Sequence, residues 1–332
     1  MLDRKEALFY TILGDGTVAC LLCPRGCRIP DGKVGACLGR KNEGGILYAT
    51  NFGKTVSVAI DPIEKKPLYN FYPGRHILSI APNGCNLACS YCQNWEISQT
   101  VVPTKAFSPR EAVETAQNVR SVGIAYTYTE PLIWYEYLLD TGRLLHDAGL
   151  VNVLVTNGYL NEEPLRELLP LIDAMNIDVK SMEDSFYRAQ CKGHVEPVLR
   201  TARMAVESGC HVEITNLVIP TLNDSDEHIE ALIEWVAGLG VDTPLHFSRY
   251  FPHHTCDLPP TPARTLQRAY AKARERLRYA YVGNISLSGA SNTYCHTCGS
   301  LLIARAGYSV RMENLDKGRC LTCGSPAHIV GV

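Results

Sequence analysis

Nowhere in this 332-residue chain do about 18 apolar residues follow one another, which excludes a hydrophobic membrane-spanning helix. The first residues, Met-Leu-Asp-Arg-Lys-Glu-Ala-Leu, hold no long apolar stretch, and no export signal is read in them. An excess of one charge is also missing: 32 Lys and Arg face 34 Asp and Glu, a formal net charge of −2. That balance offers no broad field for nucleic acid or an anionic membrane surface. A nucleic-acid modifier would need a clustered basic surface instead. The basic run Arg264, Arg268, Lys272, Arg274, Arg276 and Arg278 reads as the solvated face of a helix. Neither an internal repeat nor a low-complexity tract occurs.

What the chain does have is cysteine, 14 of them. Without a visible export signal, that abundance points to metal sites in a reducing cytoplasm rather than to disulfides. The cysteines fall into three groups: Cys20, Cys23, Cys27 and Cys37; Cys85, Cys89 and Cys92; Cys295, Cys298, Cys320 and Cys323. Cys191, Cys210 and Cys256 stand apart, the first two reading as packed thiols.

Between these groups, short apolar runs near 77–81, 123–129, 151–156, 174–179, 211–219 and 244–250 alternate with amphipathic stretches near 109–121, 132–148, 161–169, 195–208, 225–238 and 262–278. The stretch near 109 opens with a start signal: Ser108 as N-cap, Pro109 in the first turn, Glu111 completing a capping box. Strand–helix alternation predicts an α/β fold with a parallel sheet. Six such units predict a barrel, complete or partial, with an open doubly wound sheet as the alternative. Residues 38–76, with Gly44-Gly45 and alternating apolar residues, read as a lead-in hairpin and loop.

The spacing of Cys85, Cys89 and Cys92 is C-x3-C-x2-C. Three thiolates without a fourth suit a [4Fe–4S] cluster whose remaining iron can bind a small molecule. A structural zinc site would want four ligands. The triad follows the apolar run His76–Ala81, so it belongs at the C-terminal mouth of a βα fold. The other strand ends are polar as well: Tyr126 to Glu130-Pro131, Thr156-Asn157-Gly158, Asn176 to Asp178-Val179-Lys180, Thr215-Asn216 and on to Asn223-Asp224, and His246 to Arg249-Tyr250. Five in succession make a ligand pocket, because buried polar groups need partners. Singly, Asp178 could cap a helix and Glu130 could be a solvated loop acid.

The cluster loop, with Tyr91 before its third cysteine, resembles the radical S-adenosylmethionine (SAM) superfamily. The resemblance implies that the open iron chelates the amino and carboxylate groups of SAM. It implies reductive cleavage to a 5′-deoxyadenosyl radical that abstracts hydrogen. The strand-end order is similar to the pyruvate formate-lyase activating enzyme branch. Thr129-Glu130-Pro131 stands where that branch has Gly-Gly-Glu-Pro, keeping the Glu for the SAM amino group and lacking both glycines. Asp178-Val179-Lys180 resembles the branch's Asp-Leu-Lys, which meets the SAM ribose and carboxylate. Thr156-Asn157-Gly158 and Val218-Ile219-Pro220 resemble its Thr-Asn-Gly and its segment near adenine. On this basis Cys85, Cys89 and Cys92 are catalytic, and Tyr91, Glu130, Thr156, Asn157, Asp178 and Lys180, with the strand-end residues Thr215 and Arg249, bind SAM. Arg249 could instead hold an anionic substrate group.

Longer runs, residues 20–27, 61–68 and 92–98, resemble the radical SAM member of the AmmeMemoRadiSam system over nearly the whole chain. That implies a partial (β/α)6 TIM-type barrel of radical SAM type, partners resembling Memo and AMMECR-type proteins, and an external electron donor. It names no reaction. The domains expected are an N-terminal four-cysteine module with its lead-in over 1–75, the barrel over 76–290 and a C-terminal zinc-ribbon-like module over 291–332.

Cys295, Cys298, Cys320 and Cys323 form two C-x2-C knuckles, each followed by glycine, a pattern for structural zinc. Cys20, Cys23, Cys27 and Cys37 suit zinc or a second [4Fe–4S] cluster. Cys256 could face the mouth as a reactive thiol or be inert. Lys65 and Lys66 read as substrate contacts or exposed charges, and Trp95, Tyr126 and Tyr128 as core aromatics. Three functions stay open: a radical enzyme on a small molecule, a glycyl-radical-type activator of a protein partner, and a non-catalytic iron–sulfur and zinc scaffold.

Overall fold

The computed structural model describes residues 5–332. The expectation of no export signal rests partly on residues 1–4, which lie outside the described residues. Eight strands form one sheet: β1 Ser57–Pro62, β2 His76–Ala81, β3 Gly123–Tyr126, β4 Val151–Thr156, β5 Ala174–Asp178, β6 His211–Val218, β7 Leu245–Arg249 and β8 Ala280–Gly283. They lie side by side in chain order. β2 to β8 run parallel, and β1 pairs antiparallel with β2. The helices between the parallel strands are α1 Pro109–Asn118, α2 Tyr135–Asp147, α3 Glu162–Leu168, α4 Glu196–Glu207, α5 Asp226–Leu239 and α6 Ala263–Arg276.

A doubly wound sheet reverses its strand order at a switch point. The unbroken order here rules that out and leaves a singly wound partial barrel. Each of the six apolar runs is a strand. β8 adds a seventh parallel strand that the pattern does not show, because Ala-Tyr-Val-Gly is too short to display a period. β1 is a second addition: the stretch expected as hairpin and loop holds the hairpin Arg40–Glu43 and Ile46–Ala49, and then a strand of the main sheet.

Local rules explain the elements. Ser108 Oγ accepts from Glu111 N at 3.2 Å, and Glu111 Oε2 accepts from Ser108 N at 2.7 Å, the capping box of α1. Gly44 and Gly45, at φ +63° and +86°, make the hairpin turn. β3 is buried at all four positions, as a parallel strand covered on both faces should be. Its first residue must be glycine, since a Cβ on Gly123 would lie 1.8 Å from the Val151 carbonyl oxygen.

The basic run on α6 is not a free patch. Arg268 pairs with Asp226 at 2.7 Å, Arg276 with Glu234 at 2.8 Å, and Lys272 with Glu230, all on α5. Arg278 pairs with Asp242 at 2.8 Å. The acids of one helix neutralise the bases of the next.

The interior holds a buried ion cluster. Glu213, on β6, accepts from the backbone N–H groups of Tyr69 and Asn70 at 3.0 and 2.7 Å. His246 and His211 Nε2 lie 2.6 and 3.0 Å from its oxygens. These contacts tie the segment between β1 and β2 to the far strands. The C-terminal module docks on the same segment: Arg305 donates to Tyr69 O at 2.7 Å, and Tyr72 N donates to Val330 O at 2.8 Å.

Burial alone would raise the pKa of Glu213, but the hydrogen bonds from His211 and His246 lower it to about 2. Its contribution to stability is therefore present above the unfolded value near 4.5 and lost as pH falls towards about 2. Glu213→Gln should lower unfolding free energy at pH 7 by about 3–5 kcal/mol and remove part of the acid sensitivity between pH 4.5 and 2. Urea unfolding across that window checks it, and an unchanged profile would remove the keystone role given to Glu213.

Candidate active site at the barrel mouth

A cavity of about 460 Å³ opens where the strands end. Cys85, Cys89 and Cys92 line it, together with Tyr91, Glu130, Asn157, Asp178, Lys180, Thr215 and Arg249. Of the residues expected to meet SAM, only Thr156 stays off the cavity wall, and it is hydrogen-bonded to Glu130. Residues as far apart in sequence as Cys85 and Arg249 thus converge because each follows a parallel strand or lies at its end.

The cluster loop is tied down by backbone bonds. Ala88 N donates to Cys191 O and Ser90 N to Gln190 O, both at 2.9 Å. Those acceptors lie on a π-helical turn, Tyr187–Cys191, a form found often at functional sites. The Cys191 sulfur sits 3.3 Å from Tyr91 Oη, and it raises the pKa of the neighbouring Cys89 thiol. Sequence reading placed Cys191 among packed thiols. It is packed, but against the cluster loop, and an odd cysteine was its only signal.

Glu130 is not a solvated loop acid: it is 2% exposed. Its oxygens accept from Thr156 Oγ1 at 2.7 Å, Leu132 N at 2.9 Å and Asn157 N at 2.8 Å. Burial raises its pKa to about 7 against those three donors. Asp178 is not a helix cap either. It ends β5, half-exposed, 3.2 Å from Lys180 Nζ. Burial would lower the pKa of Lys180, but the Asp178 carboxylate and the neighbouring sulfurs of Cys89 and Cys191 hold it well above its ordinary value. Tyr187 Oη accepts from Lys180 N at 3.0 Å, and Asn223 Nδ2 donates to Lys180 O at 2.7 Å, fixing this corner.

Tyr128 occupies the place of a glycine in the similar branch, and it takes a glycine-like backbone, φ +67°. Its ring meets the Lys66 ammonium at 4.4 Å, and its hydroxyl bonds to Asp61. Asp61 also pairs with Lys65 at 2.8 Å and Lys66 at 2.7 Å. Lys66 is therefore a buried support for the cavity wall, neither a surface charge nor a substrate contact, and Tyr128 lines the cavity rather than the core. Trp95 is half-buried and stacks on His254 at 5.0 Å, whereas Tyr126 is core. Cys256 is not on the cavity wall; its carbonyl accepts from Tyr250 Oη at 2.8 Å. Arg249 lines the cavity with Nε donating to Thr261 O at 2.9 Å.

The donor set fits an iron–sulfur cluster. Burial raises the Cys85 and Cys92 thiols, so each needs a metal to become a thiolate. Leu87 N and Asn157 Nδ2 already donate to Cys85 Sγ at 3.4 and 3.6 Å. Among the described residues, only Cys295, Cys298, Cys320 and Cys323 bring three or more ligand atoms within 4.8 Å of one another. The triad is thus more open than a single metal ion would make it.

Residues 79–236 match the family model described as the radical SAM superfamily. An uncharacterised protein of Methanocaldococcus jannaschii is 46% identical over 98% of this chain and 99% of its own. A pyruvate formate-lyase-activating enzyme of Clostridium pasteurianum is 28% identical, over 45% of this chain and 64% of that enzyme. Two solved structures share the fold: a radical SAM methyltransferase from Sphaerobacter thermophilus (TM-score 0.50, 18% identity, covering 70% of this chain and 71% of that one), and SuiB of Streptococcus suis bound to S-adenosylmethionine (TM-score 0.50, 12% identity, covering 64% and 49%).

In the metal-free protein Glu130 should titrate near pH 7. A raised carboxyl pKa contributes stability at low pH that is lost as pH rises from about 4.5 through about 7. Difference infrared spectra of wild type and Glu130→Gln locate the carboxylate band; a midpoint below pH 5 would contradict the burial argument.

Proposed function

Since the chain belongs to the radical SAM superfamily, we propose that it cleaves SAM reductively at this mouth and that the resulting radical abstracts hydrogen from a substrate held there. The observation that carries the reading is one cavity uniting the three thiols with Glu130, Asp178 and Lys180. A scaffold has no need of a buried acid and a mostly buried lysine at its strand ends.

Cys85, Cys89 and Cys92 would hold a [4Fe–4S] cluster, which with SAM supplies the 5′-deoxyadenosyl radical. The chain's own residues bind, orient and shield. Glu130, ionised above about pH 7, offers its carboxylate to the SAM ammonium, and Thr156 and Asn157 hold that carboxylate in place. Lys180 offers a cation to the SAM carboxylate, with Asp178 left to accept from ribose hydroxyls. Tyr91 walls the cavity beside the cluster loop. Arg249 and Thr215, on the neighbouring strands β7 and β6, line the remaining wall.

A protein substrate is the second reading, favoured by the similarity to activating enzymes over part of the chain. Memo-like and AMMECR-type partners and an external electron donor belong to the proposal through the resemblance of residues 20–27, 61–68 and 92–98.

At the other end of the chain, Cys295, Cys298, Cys320 and Cys323 are proposed as a structural zinc site. Their sulfurs pair at 3.6 and 3.7 Å, and Gly299 and Gly324 take φ +76° and +74° in the knuckles. The module's own core is small, so a metal would supply folding energy it otherwise lacks.

Protein purified without oxygen, reconstituted with iron and sulfide and reduced with dithionite, should form 5′-deoxyadenosine from SAM. Cys89→Ala should form none. Lys180→Ala should keep its cluster and weaken SAM binding roughly 10–100-fold. A fully loaded wild type that yields no deoxyadenosine, alone or with the proposed partners, would refute the catalytic reading.

A further inference from the structure

Neither the barrel chemistry nor the comparisons account for the N-terminal cysteines. Cys20, Cys23, Cys27 and Cys37 face one small cavity, whose wall includes Arg40 and Asn86. Cys20 ends the strand Val18–Cys20, Cys23 and Cys27 lie on the turn that follows, and Cys37 precedes the hairpin. Cys20 N donates to Cys27 O at 2.9 Å, which closes the turn.

Spacing separates the two candidate occupants. A zinc ion, with Zn–S bonds of about 2.3 Å, draws four sulfurs to roughly 4 Å from one another. The C-terminal four meet that, with pairs at 3.6 and 3.7 Å. An iron–sulfur cube carries its thiolates on separate irons and spreads the sulfurs to roughly 6 Å. Among the described residues, the C-terminal four alone gather within 4.8 Å of one another, so the N-terminal four, like the triad, are not drawn together as a zinc ion draws its ligands.

Arg40 gives an independent sign of a ligand. The side chain is 1% exposed and forms part of the cavity wall. Its Nη1 donates to Leu8 O and its Nη2 to Glu136, but Nε has no partner. A buried N–H beside sulfur is a donor that a sulfide-rich, anionic group would satisfy.

The cavity also abuts the barrel mouth. A Cβ on Gly84 would lie 2.1 Å from the Cys37 carbonyl oxygen, and the next residue is Cys85. Asn86 lines the N-terminal cavity and accepts from Asn157 Nδ2 at 2.9 Å, the same amide that reaches Cys85 Sγ.

We propose that Cys20, Cys23, Cys27 and Cys37 hold a second [4Fe–4S] cluster in magnetic contact with the one at the barrel mouth. The proposal concerns metal identity, and its iron count is independent of whether SAM is cleaved.

The test uses the full chain, purified without oxygen and reconstituted with iron and sulfide in the presence of zinc. Wild type should carry about eight irons and about one zinc. The triple variant Cys85→Ala, Cys89→Ala, Cys92→Ala should keep about four irons and a reduced-cluster resonance. Cys23→Ser with Cys27→Ser should also keep about four, those of the mouth. The reduced wild-type spectrum should be broadened beyond the sum of the two variants. A triple variant with no cluster iron and about two zinc ions overturns the proposal, and strictly additive spectra overturn the contact between clusters. If the Cys23→Ser, Cys27→Ser protein fails to fold, the triple variant, whose N-terminal cysteines are intact, still decides.

Discussion

Right-handed crossovers are the constraint on which the rest depends. Each parallel strand feeds a helix that returns to the sheet on the same side, so β2 to β8 are laid down in chain order and all their C-terminal ends reach one rim. A single reversal of strand order would put helices on both faces and leave an open sheet with a crevice in place of a mouth ringed by the strand ends. Cys85 after β2, Glu130 after β3, Asn157 after β4, Asp178 at the end of β5 and Arg249 at the end of β7 share a cavity for that reason alone.

Charged groups are kept inside the protein at an energetic cost, met by pairing almost every one of them. Glu130 is surrounded by three donors, Asp61 by Lys65, Lys66 and Tyr128, and Glu213 by two backbone N–H groups and two histidines. Arg40 and Glu136 form a pair that is 1% exposed on both sides. Such pairs are weak evidence of stability but strong constraints on geometry, because removing one member strands the other. The unusual run at 61–68 is explained this way: its acids and lysines brace Tyr128 in a left-handed backbone. Glu64 in the same run accepts from Gly74 N at 2.8 Å and lies 3.6 Å from Arg305 of the C-terminal module.

Much of the fold and site was legible before the coordinates. The alternation of strand and helix patterns, the capping box at Ser108 and the C-x3-C-x2-C loop are local, and all three are where the pattern put them. Less visible was anything depending on a neighbour far along the chain. Lys66 looked exposed because lysine usually is; only the approach of Asp61 and Tyr128 buries it. The basic run on α6 lies on the exposed face its pattern suggests, but the acids of α5 that pair with it are invisible to a reading of α6 alone.

By itself, the sequence determined the periods of the elements, the grouping of the cysteines and the polar character of the strand ends, because each is written in contiguous residues. Only the tertiary structure decided the strand order, the burial of Glu130, the place of Cys191 against the cluster loop and the contact of Cys37 with Gly84. It also decided that the C-terminal four sulfurs, and among the described residues no other such group, gather within 4.8 Å of one another. Spacing in sequence limits which thiols can meet, but the distance at which they meet is set by how loops from separate elements pack, and no local pattern carries that distance.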